Sequence, residues 1–145
     1  MFYVLSNNEK QIRNFVASHW PKLYNSIIDE NNFIKIINVK EKGALITLNL
    51  SDILFFNSSG NYIEIHHISK KYLIRQTLSS LLLKLDPQTF LRVHRFSVVN
   101  VNFIENVTYI KNGEYQIFLK DTSKITSSRN FKEDIKNKLK LKEIH

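Results

Sequence analysis

Residues 90–100 read FLRVHRFSVVN, and no other stretch of the chain limits its fold and its use so narrowly. The run reads as largely apolar β-structure, interrupted by two adjacent basic side chains, His94 and Arg95. An arginine inside a buried strand must find partners for its charge and for five N–H donors. The economical solution is a strand edge or loop that turns Arg95 outward, towards something anionic.

The surrounding sequence is also β-rich. Ala44, Ile46, Leu48 and Leu50 alternate with Leu45, Thr47 and Asn49, the period of two expected of a half-buried strand. Residues 53–56 read as a short apolar strand, and 57–61 (NSSGN) as a loop. Residues 62–68 and 71–75 read as a strand pair that turns at Ser69 and Lys70. Asn112-Gly113, between 107–111 and 114–120, is a hairpin signal because both residues tolerate the positive φ of a mirror-image turn.

Helical signals are fewer. Thr77 is a good N-cap for Leu78, Leu81, Leu82 and Leu85, which form one apolar stripe ended by Asp86-Pro87. A last helix is predicted to open near Ser127 or Ser128, with Phe131, Ile135 and Leu139 on one face. Its acids, Glu133 and Asp134, come early and its lysines late, as the helix dipole favours. At the N-terminus Ile12, Phe15, Val16 and Trp20 fall at helical spacing behind Asn8. Pro21 interrupts that helix before Leu23, Tyr24, Ile27 and Ile28.

At 145 residues the chain has room for one sizeable core. Its net charge of +8 suits a polyanionic partner, although charge alone does not separate DNA from RNA or an anionic membrane. Cysteine is absent, which excludes disulfides, thiolate metal sites and a cysteine nucleophile and fits a reducing, cytoplasmic compartment. No apolar run approaches the roughly 18 residues of a membrane span, and the N-terminus has no signal-peptide pattern. His66 and His67 resemble a metal pair, but strand neighbours point to opposite faces and would not hold one ion. With no zinc spacing, phosphate loop or nucleophile elbow, nothing points to an enzyme, a cofactor or a small-molecule ligand.

Three segments in order, DILFFNSSGNYIEI (52–65), FLRVHRFSVVN (90–100) and SSRNF (127–131), resemble the LytTR family of bacterial DNA-binding domains. The resemblance covers about residues 43–139. It implies a mainly β fold, an elongated sandwich of antiparallel sheets with short helices, occupying residues 33–145 behind a helical extension or linker at 1–32. It implies loops that enter successive major grooves of duplex DNA, usually at paired direct repeats, and so a homodimer on DNA. Relatives are mostly transcriptional regulators, often of two-component systems. Many carry a receiver domain or membrane segment ahead of this module, where about 40 residues stand here. A stand-alone regulator and a piece of a longer response regulator both fit.

The resemblance assigns base contacts to Arg95, Arg129 and Asn61. A guanidinium fork matches O6 and N7 of guanine, and the start of a helix favours phosphate before any side chain acts. The third position falls at or beside Asn61, so Tyr62 is its alternative. His94, Ser97, Ser128, Asn130 and Lys132 join Tyr62 as contacts to the DNA backbone or as supports. For His94 a phosphate contact and a bond to the loop's backbone carbonyls are equally open. The family usually places serine and then an aromatic or large residue after the position of Arg95. Here Phe96 and Ser97 stand in the opposite order, which puts both in doubt as DNA contacts. Two rival readings keep the fold. One is a protein-interaction module that has lost DNA reading. The other is a single-strand binder with Tyr62, Phe96 and Tyr109 as stacking platforms.

Overall fold

The computed structural model describes residues 32–141, so the apolar stripes expected over residues 12–28 lie outside the described residues. Among the described residues ten strands and two short α-helices follow one another. The strands are β1 (Ile36–Glu41), β2 (Ala44–Asn49), β3 (Ile53–Ser59), β4 (Tyr62–His67), β5 (Lys71–Ile74), β6 (Phe90–His94), β7 (Ser97–Asn100), β8 (Ile104–Tyr109), β9 (Tyr115–Leu119) and β10 (Lys124–Thr126). The helices are α1 (Leu78–Leu82), between β5 and β6, and α2 (Lys132–Leu139), after β10. The fold is mainly antiparallel β, as expected.

A five-stranded sheet in the order β5-β4-β3-β7-β6 is the spine. One of its faces carries Ile53, Phe56, Ile63, Ile65 and Val98 into a core closed by α1 and the β1–β2 hairpin. The opposite face carries Leu54, Phe55, Leu91, Val93 and Val99 into a second core, closed by α2 and the three-stranded sheet β10-β9-β8. A register shift between Ile53 and Phe55 explains how Ile53 and Phe56, three residues apart, serve the same side. Because β3 is covered on both faces it reads as the unbroken apolar run ILFF instead of alternating. Each large side chain so buried contributes about 1.5–3 kcal/mol.

Several local expectations hold. The Thr77 hydroxyl accepts from the Ser80 amide at 3.2 Å, and Leu78, Leu81 and Leu85 are buried with Leu82 partly so. Asn112 and Gly113 take φ of +52° and +81°, and the Glu114 amide donates to the Lys111 carbonyl at 2.9 Å to close the turn. Ile135 is fully buried, with Phe131 and Leu139 packed against the same core.

Two expectations change. The 57–61 segment is not a loop: β3 runs on through Asn57, Ser58 and Ser59, because these residues pair with β4 and Asn57 also pairs with β7. Only Gly60 and Asn61 remain to make the turn, with Gly60 at φ +62°, where a Cβ would be strained. The last helix starts later than Ser127 or Ser128. A 3-10 turn, Arg129–Phe131, precedes α2, so Arg129 stands ahead of the helix. The sequence also hid the β1–β2 hairpin, whose Lys42-Gly43 turn takes two positive φ values within 2° of those at Asn112-Gly113 without an asparagine to announce it.

Candidate nucleic-acid interface

Four turns meet at one end of the molecule. The β3–β4 turn (Gly60, Asn61) adjoins the β6–β7 turn (Arg95, Phe96), because the Ser58 amide donates to the Phe96 carbonyl at 2.7 Å. The Ser128 amide donates to the Val93 carbonyl at 2.9 Å, which fastens the Arg129–Phe131 turn along the outer edge of β6. The β8–β9 turn packs behind it: a Cβ on Gly113 would lie 3.2 Å from Lys132 Cδ and 3.3 Å from Arg129 Cβ. The structure thus brings Asn61, Arg95, Arg129 and Lys132 to the same end, although the first and last are 71 positions apart in sequence (61 to 132).

The β6–β7 turn is held from every side. His94 pairs with Ser97, leaving only Arg95 and Phe96 between the strands. Neither takes a positive φ. A two-residue turn of that hand splays its strands, and the register shift in β6 between Arg92 and His94 accommodates it. The Arg92 guanidinium donates to the Arg95 carbonyl at 2.7 Å and to the His94 carbonyl at 3.4 Å. His94 Nδ1 accepts from the Phe96 amide at 3.2 Å, so the ring proton sits on Nε2. What leaves the turn is side chain: Arg95 is exposed, its guanidinium carbon 4.5 Å from the centre of the Phe96 ring.

The other expected residues fall around this turn. Asn61 and Tyr62 are exposed at the β3–β4 turn and the start of β4. Ser97 is buried, and its hydroxyl donates to Asn57 Oδ1 at 3.0 Å, inside the sheet. Ser128 caps the 3-10 turn by accepting from the Asn130 amide at 3.4 Å, while Ser127 is buried and bonded to Tyr115 of β9. Arg129 and Asn130 are exposed and Lys132 is half-buried. His66 and His67 face opposite ways, His66 stacked on Phe55 at 3.8 Å and His67 edge-on to Tyr72.

Among the described residues Arg95 and Arg129 pair with no acid. Three contacts of this kind are seen within residues 41–71, Glu41 with Lys70 and Glu64 with Lys71 and His66, and none of them involves either arginine. Glu64 belongs to a polar row that crosses the sheet from Lys71 through Asn57 to Ser97, just below the turns. Burial pushes the Glu64 carboxyl up, but hydrogen bonds from Lys71 and Asn57, with the Lys71 charge, bring it below the usual carboxylate range. Burial against Phe55 holds the His66 imidazole below its ordinary value despite Glu64. Beside this row an open hollow of about 300 Å³ is lined by Asn57, His94, Phe96, Ser97 and Lys124 among others.

Arg92 and Asn57 are supports that sequence reasoning missed. Arg92 lies two residues before His94, but the register shift between them turns the two to different faces of the sheet, so alternation did not point to it. Asn57 was hidden by its assignment to a loop.

Residues 43–140 match the LytTr DNA-binding domain family. The chain belongs to the LytTR family. It is 28% identical over 96 residues to the sensory transduction protein LytT of Bacillus subtilis, a match covering 66% of this chain and 40% of that protein. The LytT protein of Bacillus anthracis is similar at 26% identity, and the chain likewise spans about two fifths of its length. A Staphylococcus aureus (strain MSSA476) protein named as an HTH-type transcriptional regulator is 24% identical over 143 residues, covering 92% of this chain and 95% of that one. In structure the chain resembles a LytTr DNA-binding domain from Bacillus cereus, with a TM-score of 0.69 at 15% identity, covering 74% of this chain and 98% of the other. Among the described residues no helix is long and apolar enough to cross a membrane.

Proposed function

We propose that the chain is a non-enzymatic transcriptional regulator that binds duplex DNA in a sequence-specific way, with Arg95 and Arg129 reading base edges in successive major grooves. The observation that carries this reading is the pair of exposed guanidiniums without acidic partners, on two adjoining turns of a LytTR-family domain. An exposed arginine with its donors free has the fork that guanine O6 and N7 match. Asn61, on the neighbouring turn, is the third base reader. Tyr62, Ser128, Asn130 and Lys132 surround them as backbone contacts, and His94 and Ser97 hold the turns in place.

The division into a segment at 1–32 and a module at 33–145 is part of the proposal, as is action in the cytoplasm as a dimer on paired direct repeats. The Staphylococcus aureus relative supports a role for the N-terminal segment, since its likeness extends over most of this chain. Sedimentation of the full chain on DNA carrying one or two half-sites tests the pairing; a single copy on the double site would rule it out.

The reading itself is tested by selection from random duplex DNA with wild type, Arg95→Ala and Arg129→Ala. Each variant should lose about 1–3 kcal/mol on the selected site and relax preference at a different base, whereas Lys132→Ala should weaken all sequences alike. With about four to six phosphates contacted, log affinity should fall with log salt at a slope near −4 to −5. A flat salt response would remove DNA from the reading.

A further inference from the structure

Phe96 stands at the tip of the β6–β7 turn, which is bonded on both sides, and is 44% exposed. Exposure of so large an apolar ring contributes nothing to folding. It does not arise from slack in the chain either. The Phe96 amide is bonded to His94 and its carbonyl to the Ser58 amide, so the backbone cannot carry the ring back into the core. The next residue, Ser97, is the one that points into the sheet, bonded to Asn57. The ring lies against the Arg95 guanidinium at 4.5 Å and 5.5 Å from the His94 ring, tilted by 34°. An aromatic face so placed restrains a cation that would otherwise sample many rotamers.

We infer that Phe96 is a specificity-determining residue, which holds the Arg95 guanidinium ready for guanine and presents its own apolar edge to the 5-methyl group of a neighbouring thymine. The methyl of thymine is the apolar landmark of the major groove, and an apolar side chain beside a guanine-reading fork is suited to it. Sequence order decides this placement. With the residues exchanged, a hydroxyl would occupy the tip and the ring would be turned towards Asn57. The inference rests on the reading of Arg95 as a base contact.

Its test uses the full chain, the selected duplex, and copies of that duplex in which each thymine in turn is replaced by deoxyuridine, which lacks only the methyl group. One replacement, adjacent to the guanine whose preference Arg95→Ala abolishes, should weaken wild type by about three- to fourfold, the worth of one buried methyl. Phe96→Ala should bind the parent duplex more weakly and be indifferent to that same replacement. Its thermal melt should match wild type, because the ring is outside both cores. If wild type is indifferent to every deoxyuridine, or Phe96→Ala loses the same factor as wild type, the thymine contact is overturned while Arg95 keeps its role. If selection yields no preferred sequence, the reading of Arg95 fails and this inference with it. Tighter binding of the single strand than of the duplex would make Phe96 a stacking platform and also overturn it.

Discussion

The two arginine-bearing turns reach similar exposure by different means. Around Arg95 the backbone is locked by sheet pairing on both sides, by His94, and by two bonds from Arg92. Around Arg129 there is a single 3-10 turn, held by a long Ser128 cap, one bond to Val93, and the close approach of Gly113. Sheet pairing fixes a residue through partners far away in sequence, whereas a cap fixes it through neighbours two residues off. The first turn is therefore rigid because the fold is intact, and the second depends on a few contacts that single substitutions can remove. Arg92 joins them, since its guanidinium also lies over the Phe131 ring at 5.9 Å.

That contrast can be broken most severely at Arg92. Arg92→Ala removes the bonds to the Arg95 and His94 carbonyls together with the Phe131 contact, and should cost about 1.5–3 kcal/mol of stability. Base preference should relax at both arginine positions. Denaturant melts and repeat selection check this; a variant that relaxes only at the Arg129 base would show that Arg92 does not hold the Arg95 turn.

Gly113→Ala should act on one turn alone. At φ +81° any side chain is strained, and here the added Cβ also presses on Lys132 Cδ at 3.2 Å and Arg129 Cβ at 3.3 Å. A loss of about 1–2 kcal/mol in stability is expected, with weakened preference only at the base read by Arg129. Equal weakening at the Arg95 base would mean that the turns move together. Ser128→Ala sharpens the same point more gently. The cap bond is long, so the cost should be near 0.5 kcal/mol, the low end for N-caps. A cost above that of Gly113→Ala would reverse the ranking of the two supports.

The smallest effect is one of pH and should favour the other turn. His66 has its pKa lowered in the folded chain, so the unfolded chain takes up its proton first as pH falls. Stability should therefore be full above about pH 6.5 and decline as pH falls through the lower folded value. Glu64, also lowered, adds a further loss in the carboxylate range. His66→Gln should flatten the first part of that decline in melts between pH 7 and the carboxylate range. An unchanged slope would locate the proton elsewhere. Because the Glu64–Asn57–Ser97 row lies under the Arg95 turn, acid should loosen that turn before the Arg129 turn.

Much of this architecture was legible in single residues. The outward Arg95, the turn at Asn112-Gly113, the Thr77 cap and the burial of Ile135 each follow from local rules. Tolerance of positive φ, a hydroxyl three residues ahead of an amide, and helical or strand periodicity all act within a few residues, and the sequence states them directly. What it left open was decided by partners. Asn57 reads as a loop residue because asparagine and two serines follow one another, but it lies in a strand because β4 and β7 flank it. Ser97 reads as a free hydroxyl until Asn57 stands opposite. That Asn61, Arg95, Arg129 and Lys132 share one end depends on β7 pairing with β3 and on Ser128 fastening to β6. No residue states the choice of a strand partner by itself, because that choice depends on which distant faces bury each other, and only the folded chain makes it.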